Sequence, residues 1–333
     1  MAINRQIRLR SRPVGMPQRD NFDIVDAPLP HAKDGEILAK NLFLSVDPYM
    51  RSRMNEGRSY LPPIPLNSTI GSSTIARVIS SKDASFKPGE LATGYGGWEE
   101  YSLYSAPAVR KIDVKLAPPE AFLGVLGMPG ATAYLGVLDF GRPKPSDTFV
   151  VSAASGPVGS VAGQIAKIKG ARVVGIAGGP EKCRYVVEEL GFTACVDHRK
   201  STFAADLAHV CPNGVDVDFE NVGGSVLDAV FPLLNDFARI ALCGLITRYN
   251  DGEEMPGPDL KLILTRRIAV EPFIITDHRH RIPALLRDIS EWVSEGRIKH
   301  REQVFEGLDH TPNALIDLLC GRNFGKVVVR LAE

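Results

Sequence analysis

The feature that most constrains this chain is a rhythm that begins after residue 145. Strand candidates start at Thr148 (TFVVSA), Arg172 (RVVGIA), Ala194 (ACV), Val215 (VDVDF), Arg239 (RIALCG) and Ile268 (IAVEPF). They fall roughly 20 to 30 residues apart, the length of one strand-plus-helix unit. Amphipathic stretches separate them. In one, Val158, Val161, Ala162 and Ile165 stand at i, i+3, i+4 and i+7 and so form one helical stripe. Strands alternating with helices imply an α/β fold with a parallel sheet covered on both faces. Six such strands match a complete doubly wound sheet of the Rossmann type.

The texture before residue 125 is different. Short apolar alternations are broken by Pro and Gly. Glu36–Val46, Thr74–Ile79 and Trp98–Leu103 read as strands, while Pro13–Pro17, Leu61–Pro65 and Lys87–Gly97 read as loops. Near the C-terminus His310–Cys320 reads as a helix and Lys326–Leu331 (KVVVRL) as a strand. The expected division is a discontinuous β-rich domain over 1–126 and 303–333, with a Rossmann domain over 127–302.

The first Rossmann strand runs into Ala154-Ser155-Gly156-Pro157-Val158-Gly159-Ser160. Gly156 and Gly159 have the spacing of the second and third glycines of a dinucleotide fingerprint, and Ala154 replaces the first. A turn at a helix N-terminus offers free N–H groups and the positive end of the helix dipole, and missing Cβ atoms let a pyrophosphate approach. Gly163 lets the helix lie close to the sheet. The second strand ends at Ala177-Gly178-Gly179, where an NAD site calls for Asp or Glu on the ribose 2′-OH. Gly178 is not acidic, and Lys182 and Arg184 follow. Cations without a carboxylate suit a 2′-phosphate, hence NADPH/NADP. A solvated lysine in the first turn of a helix is the alternative for Lys182.

Composition narrows the partners. The 333 residues carry 39 basic and 39 acidic side chains, a zero balance that argues against nucleic acid and against an anionic membrane surface. The uncharged stretch Phe149–Ala166 holds three serines, Gln164 and Pro157, too polar for lipid. The basic N-terminus has no apolar run behind it. Cys183, Cys195, Cys211, Cys243 and Cys320 are odd in number and contain no CxxC pair. They support neither a zinc ribbon nor a disulfide framework, and the reading is a cytoplasmic protein. His278 and His280, in the basic stretch DHRHR, read as a solvated turn.

The run GPVGSVAGQIAKIKGARVVGIAGGPEK resembles the cofactor segment of the medium-chain dehydrogenase/reductase superfamily. More narrowly it resembles the zinc-free branch of leukotriene hydroxydehydrogenase/prostaglandin reductase, the alkenal double-bond reductases and bacterial curcumin reductase. The blocks LSVDPYMRSRM (44–54), GYGGWEEY (94–101), LGMPGATAY (126–134), FENVGG (219–224), LCGLITRYN (242–250) and GRNFGKVVV (321–329) carry the same resemblance along nearly the whole chain. It implies a GroES-like β-barrel domain that takes both chain ends, a Rossmann domain, an active site in the cleft, and a homodimer.

Carried over by position, the resemblance puts Gly156, Pro157, Val158 and Gly159 under the pyrophosphate and Gly178 and Lys182 at the 2′-phosphate. It puts Asn221, Cys243, Gly244, Ile246, Tyr249, Phe273 and Ile275 along the nicotinamide half. Met128 and Thr132 sit close to that ring, and Asn323 reaches the cofactor from the tail. The family usually has a tyrosine where this chain has His198. A histidine also donates to a phosphate, so NADPH preference survives; a plain surface histidine is the alternative.

The stretches SVDPYM and TIGSST stand where zinc enzymes of the superfamily present Cys and a GHE motif, so no metal site is expected. Charge that develops on a substrate oxygen must then meet hydrogen-bond donors. For an enone or enal, hydride goes to the β-carbon and negative charge builds on the carbonyl oxygen, where a phenol is a suitable donor. Tyr249 is the expected donor, with a loop aromatic as the alternative; Tyr49 is the expected substrate-side residue, with an aromatic packed at a domain seam as the alternative. Arg51 and Arg53 read as salt-bridge residues, and 248–258 as a turn-rich lid. The expected reaction is NADPH-dependent reduction of the C=C bond of α,β-unsaturated ketones and aldehydes. Quinone reduction and NADPH binding without turnover are the alternatives.

Overall fold

Alternation along Ile3–Leu9 buries Ile7 and Leu9, and this strand, β1, pairs antiparallel with β2 (Phe22–Pro28). The computed structural model describes residues 3–250 and 257–331. The chain continues through β3 (Glu36–Ser45), the short helix α1 (Tyr49–Ser52), β4 (Gly71–Ser81), β5 (Leu91–Gly97), β6 (Tyr101–Ser105) and β7 (Arg110–Lys111). Then comes α2 (Met128–Leu135), followed by β8 (Thr148–Val151), α3 (Gly159–Ile168), β9 (Arg172–Ala177), α4 (Pro180–Glu188), β10 (Ala194–Asp197) and α5 (Phe203–Val210). After these come β11 (Val215–Glu220), α6 (Gly224–Val230), β12 (Leu234–Leu242), α7 (Leu260–Arg266), β13 (Ala269–Pro272) and α8 (Ile282–Ser294). The tail supplies β14 (Glu302–Glu306), α9 (Thr311–Leu319) and β15 (Lys326–Arg330).

The chain forms two compact units, Met1–Leu123 with Glu302–Glu333, and Gly124–Arg301. In the first, seven strands make a mixed sheet in the order β14-β15-β3-β4-β5-β7, with β6 paired to β3. β14 and β15 are parallel to each other, and β15 runs antiparallel to β3. The tail therefore completes a sheet begun by the N-terminal residues. Its main core gathers Ile7, Leu44, Met50, Trp98, Leu315 and Val329.

Two readings of this unit are corrected. β1, β2 and β14 are strands that the sequence reading did not list, and Lys87–Gly97 is not all loop: Leu91–Gly97 is β5. The glycines there are not turn residues. A Cβ at Gly94 would lie 2.9 Å from the Tyr104 ring, and one at Gly96 would lie 2.7 Å from the Tyr104 hydroxyl. They make room for a tyrosine from the neighbouring β6. Arg51 donates to the carbonyls of Pro13 and Gly15 and to Asn55, and Arg53 donates to the Pro62 carbonyl and the Tyr95 hydroxyl. These bonds tie neighbouring loops to α1.

In the second unit the order β10-β9-β8-β11-β12-β13 is all parallel, the doubly wound order in which the chain reverses direction between β8 and β11. β8 is buried along its whole length. Each paired strand sets the next in register, for example Val150 between Val174 and Asp218. α3 buries Gly159 through Ala166 on every face, because it packs on β8 and β9 and is covered by α2. A Cβ at Gly163 would lie 2.1 Å from Phe192, so the glycine permits that packing. No helix among the described residues is long and apolar enough to cross a membrane.

Candidate cofactor and active site

The switch point between β8 and β11 builds the first part of the site. After β8 the chain turns through Ala153, whose φ is +50°, and Gly156 N donates to Ala153 O at 2.9 Å. A Cβ at Gly159 would lie 2.4 Å from that same carbonyl, so only glycine closes this turn onto α3. The Ala154 side chain is accommodated by a second glycine: a Cβ at Gly175 would lie 2.8 Å from the Ala154 Cβ. Pro157 and Val158 complete the turn, and Ser160 N returns to Gly156 O at 3.0 Å. The α3 N-terminus is therefore framed by a close-set backbone turn whose glycines carry no Cβ. This fits a pyrophosphate.

Across the switch point, Asn221 follows β11. Its N–H donates to Ser152 Oγ at 2.7 Å and its side-chain amide to Ser152 O at 2.8 Å. Ser152 Oγ donates in turn to Glu220 Oε1 at 2.8 Å. The turn after β12 is laced to the same segment: Cys243 N and Gly244 N donate to Glu220 O, and Ile246 N donates to Asn221 O. Tyr249 closes the short helical turn Ile246–Arg248. Its hydroxyl lies 3.4 Å from where a Gly244 Cβ would be. Burial, then the Cys243 thiol, raises the Tyr249 phenol above its ordinary range, against a backbone hydrogen bond from Leu245. The Cys243 thiol is itself pushed up to about 12 by burial and by Glu220. At neutral pH both groups hold their protons.

The second part lies at the ends of β9 and β10. Gly179, at φ +98°, ends the strand and opens α4 at Pro180. The Asp197 carboxylate accepts from Gly179 N at 2.8 Å and Arg199 N at 3.0 Å, which pins the two strand ends together. A Cβ at Gly178 would lie 2.9 Å from both His198 Nε2 and Arg199 Nε. Burial lowers the His198 imidazole and the Lys182 ammonium below their ordinary values; Arg199 adds to both, and Lys182 adds to His198. Two cations, Lys182 and Arg199, and the His198 imidazole thus crowd the place of the acidic residue in an NAD site, an arrangement that fits a phosphate. The sequence gives no local sign of Arg199 here, because it reaches Gly178 from the end of β10, the neighbouring strand.

Other expected residues have their own surroundings. Met128 and Thr132 stand one turn apart on α2, where Thr132 Oγ1 donates to Met128 O at 2.8 Å. The Phe273 ring is buried and stacks on Phe140 at 4.8 Å, with Phe219 edge-on at 6.2 Å, and Ile275 is buried beside it in sequence. In the first unit, Tyr49 begins α1, and burial together with Asp47 and a hydrogen bond to Tyr95 raises its phenol well above the ordinary range. Asn323 turns back to donate to Gly325 O at 3.1 Å. Of the stretch read as a lid, 251–256 lie outside the described residues. An open cavity of about 480 Å³ lies elsewhere, lined by Cys211, Gly214, Leu234 and Arg266. It sits at the N-terminal ends of β11 and β12, the wrong edge of a parallel sheet for a cofactor. Among the described residues no group of three or more His, Cys, Asp or Glu could hold a metal ion.

Comparison with known proteins agrees with this architecture. Residues 5–112 match the family described as the N-terminal domain of oxidoreductase, and residues 157–291 match the family described as zinc-binding dehydrogenase. The chain is 46% identical over 335 residues to NADPH-dependent curcumin reductase of Escherichia coli, covering 99% of this chain and 97% of that protein. It is 38% identical to the NADP(+)-dependent 2-alkenal reductase of Nicotiana tabacum, over 99% and 98% of the two chains. The crystal structure of CurA from Vibrio vulnificus in complex with NADPH superposes with a TM-score of 0.94 at 46% identity, over 99% of each chain. The protein belongs to the medium-chain dehydrogenase/reductase superfamily, in the branch that holds curcumin reductase, 2-alkenal reductase and prostaglandin reductase 1.

Proposed function

We propose that this chain is an NADPH-dependent oxidoreductase that reduces the C=C bond of α,β-unsaturated ketones and aldehydes. One observation carries the reading. A single parallel sheet presents a glycine turn, a cluster of two cations with an imidazole, and a protonated phenol at the C-terminal ends of its strands. Bound NADPH supplies the hydride. The chain's own residues do the rest. Gly156 to Gly159 leave space for the pyrophosphate, and Lys182, His198 and Arg199 hold the 2′-phosphate and select against NADH. Asn221, Gly244 and Ile246 form the wall of the nicotinamide half, with Cys243 behind it. Phe273 and Ile275 support that wall by packing, and Met128 and Thr132 edge it from α2.

Tyr249 then donates a hydrogen bond to the substrate carbonyl oxygen as negative charge builds there. A solvent proton completes the product at the α-carbon. For Tyr49, on the substrate side, and Asn323 the support is the family resemblance together with their protonated or hydrogen-bonded state. The resemblance also supports a homodimer, and the odd cysteine count without a disulfide framework supports a cytoplasmic location. Light scattering on the purified chain measures the first.

The deciding experiment is NADPH oxidation against a panel of enones, enals and quinones with identification of each product. Saturated ketones or aldehydes are the expected products. Turnover of quinones alone, with every C=C bond kept, would replace this reading by quinone reduction. Tight NADPH binding with no turnover anywhere in the panel would make the chain a binding protein.

A further inference from the structure

The sulfurs of Cys183 and Cys195 are in contact, 2.9 Å apart, across the seam between α4 and β10. The sequence separates them by 12 residues and gives no motif, so only the fold reveals the pair. Both side chains are half-buried, within reach of a small solute. Cys183 follows Lys182 directly on α4, and Cys195 stands two residues before Asp197, whose carboxylate holds the turn that carries His198 and Arg199. The two sulfurs therefore join the two elements that bring Lys182, His198 and Arg199 together. A disulfide needs its sulfurs about 2.05 Å apart, so closing the bond brings the two sulfurs roughly 0.9 Å nearer, a shift made beside Lys182 on α4 and two residues from Asp197 on β10.

We propose that Cys183 and Cys195 form a peroxide-oxidisable disulfide whose closure loosens the hold of α4 on the 2′-phosphate of NADPH. The second half of that statement rests on the cofactor reading given above. The chemistry needs hydrogen peroxide as the oxidant. The Cys183 thiolate attacks one peroxide oxygen, the O–O bond breaks, and a sulfenic acid forms on Cys183 while hydroxide leaves and takes up a proton. Cys195 sulfur then attacks the sulfenic sulfur, the S–O bond breaks, and water leaves with the Cys195 proton. Two electrons pass from the two thiols to the peroxide, which ends as two waters. The order follows from the environment. The hydrogen bond from Cys195 holds the Cys183 thiol below its ordinary range, helped by Lys200 and opposed by burial and Asp197. That same contact, with burial, pushes Cys195 up. Cys183 is thus the thiolate that meets the oxidant, and Cys195 resolves it.

The test uses the full chain treated with hydrogen peroxide, then alkylation, peptide mass mapping without reductant, and NADPH titration followed by protein fluorescence. The expected result is a crosslinked peptide pair holding Cys183 and Cys195, absent in Cys183→Ser and Cys195→Ser. With it, the NADPH Kd rises roughly tenfold, the scale of disturbing one charge-assisted hydrogen bond, while NADH binding hardly moves. Dithiothreitol restores the reduced value. Separate alkylation of the two cysteines after peroxide, pairing with Cys243 or Cys320, or a disulfide that leaves the NADPH Kd unchanged would each overturn the proposal. Lys182→Ala in the reduced protein tests the phosphate reading by itself: equal weakening of NADPH and NADH would sink that reading, while the peptide map still decides whether the thiols pair.

Discussion

Lys326 Nζ stands 2.8 Å from Asp47 Oδ1, with both side chains almost wholly out of solvent. The lysine also donates to Val46 O at 2.9 Å, and Ser45 donates to the other Asp47 oxygen. This pair joins β15, from the end of the chain, to the segment that leads into Tyr49 and α1. A buried charge left without its partner is strongly destabilising, so Asp47→Ala is expected to cost about 3–5 kcal/mol. Denaturant unfolding measures it. Lys326→Met added to Asp47→Ala should recover part of the loss, because the orphaned ammonium is gone. A cost below about 1 kcal/mol, typical of exposed pairs, would show that water reaches this site.

Lys182→Ala addresses the cofactor end. Loss of a charge-assisted bond to phosphate is expected to raise the KM for NADPH roughly 10- to 100-fold. NADH, which lacks that phosphate, should change less than about threefold on the same arithmetic. Steady-state kinetics with both coenzymes decides this, and equal changes would remove Lys182 from the 2′-phosphate. Arg199→Ala should show the same asymmetry, since it crowds the same place.

Tyr249→Phe tests the donor. Removing one hydrogen-bond donor from a developing oxyanion typically costs about 10²–10³ in rate. The loss should fall on kcat for enones while the Kd for NADPH holds. Burial and the neighbouring Cys243 keep the wild-type phenol protonated. Its donor role should therefore persist through ordinary alkaline pH, and kcat should show no loss from Tyr249 ionisation there. An unchanged kcat in the phenylalanine variant would leave the turn Ile246–Tyr249 a structural device only.

The Rossmann unit was legible because its signal is periodic. Burial on both faces forces apolar strands, and helices of fixed length return the chain to the sheet, so Thr148, Arg172, Ala194 and Val215 each mark an observed strand start. β12 was read late, at Arg239, because it begins at Leu234 and passes through polar Asn235 and Asp236 and through Phe237 at φ +62°. The β-rich unit was less legible. Its glycines at 94 and 96 serve side-chain clearance, and composition cannot tell clearance from a turn. The site divides in the same way. Gly156 and Gly159 could be recognised locally, since they act within one turn. Arg199, Glu220 and the contact of Cys183 with Cys195 depend on which strand ends the fold brings together.

Asp218 is a further case that local pattern hides. It lies on β11 between Val150 of β8 and Ile240 of β12, fully buried, and neither carboxyl oxygen has a hydrogen-bond partner. Burial raises its pKa well above the ordinary carboxyl range, and the charge of Glu220 adds to this. Because the folded value exceeds the unfolded one of about 3.9, the folded state binds this proton more tightly. The resulting stability is fully present below the unfolded pKa and is lost as pH rises through the raised folded value. Asp218→Asn keeps the shape and removes the ionisation. At pH 8 it should stabilise the chain by about 1 kcal/mol or more, roughly 1–2 °C in Tm for a chain of this length. The gain should shrink as the pH falls toward about 4, where the unfolded wild-type carboxyl also takes up its proton. Thermal melts of both proteins across that range measure the difference. A gain that is flat with pH would mean that the folded carboxyl titrates like the unfolded one, and a loss at pH 8 that the carboxylate is ionised and stabilised where it stands.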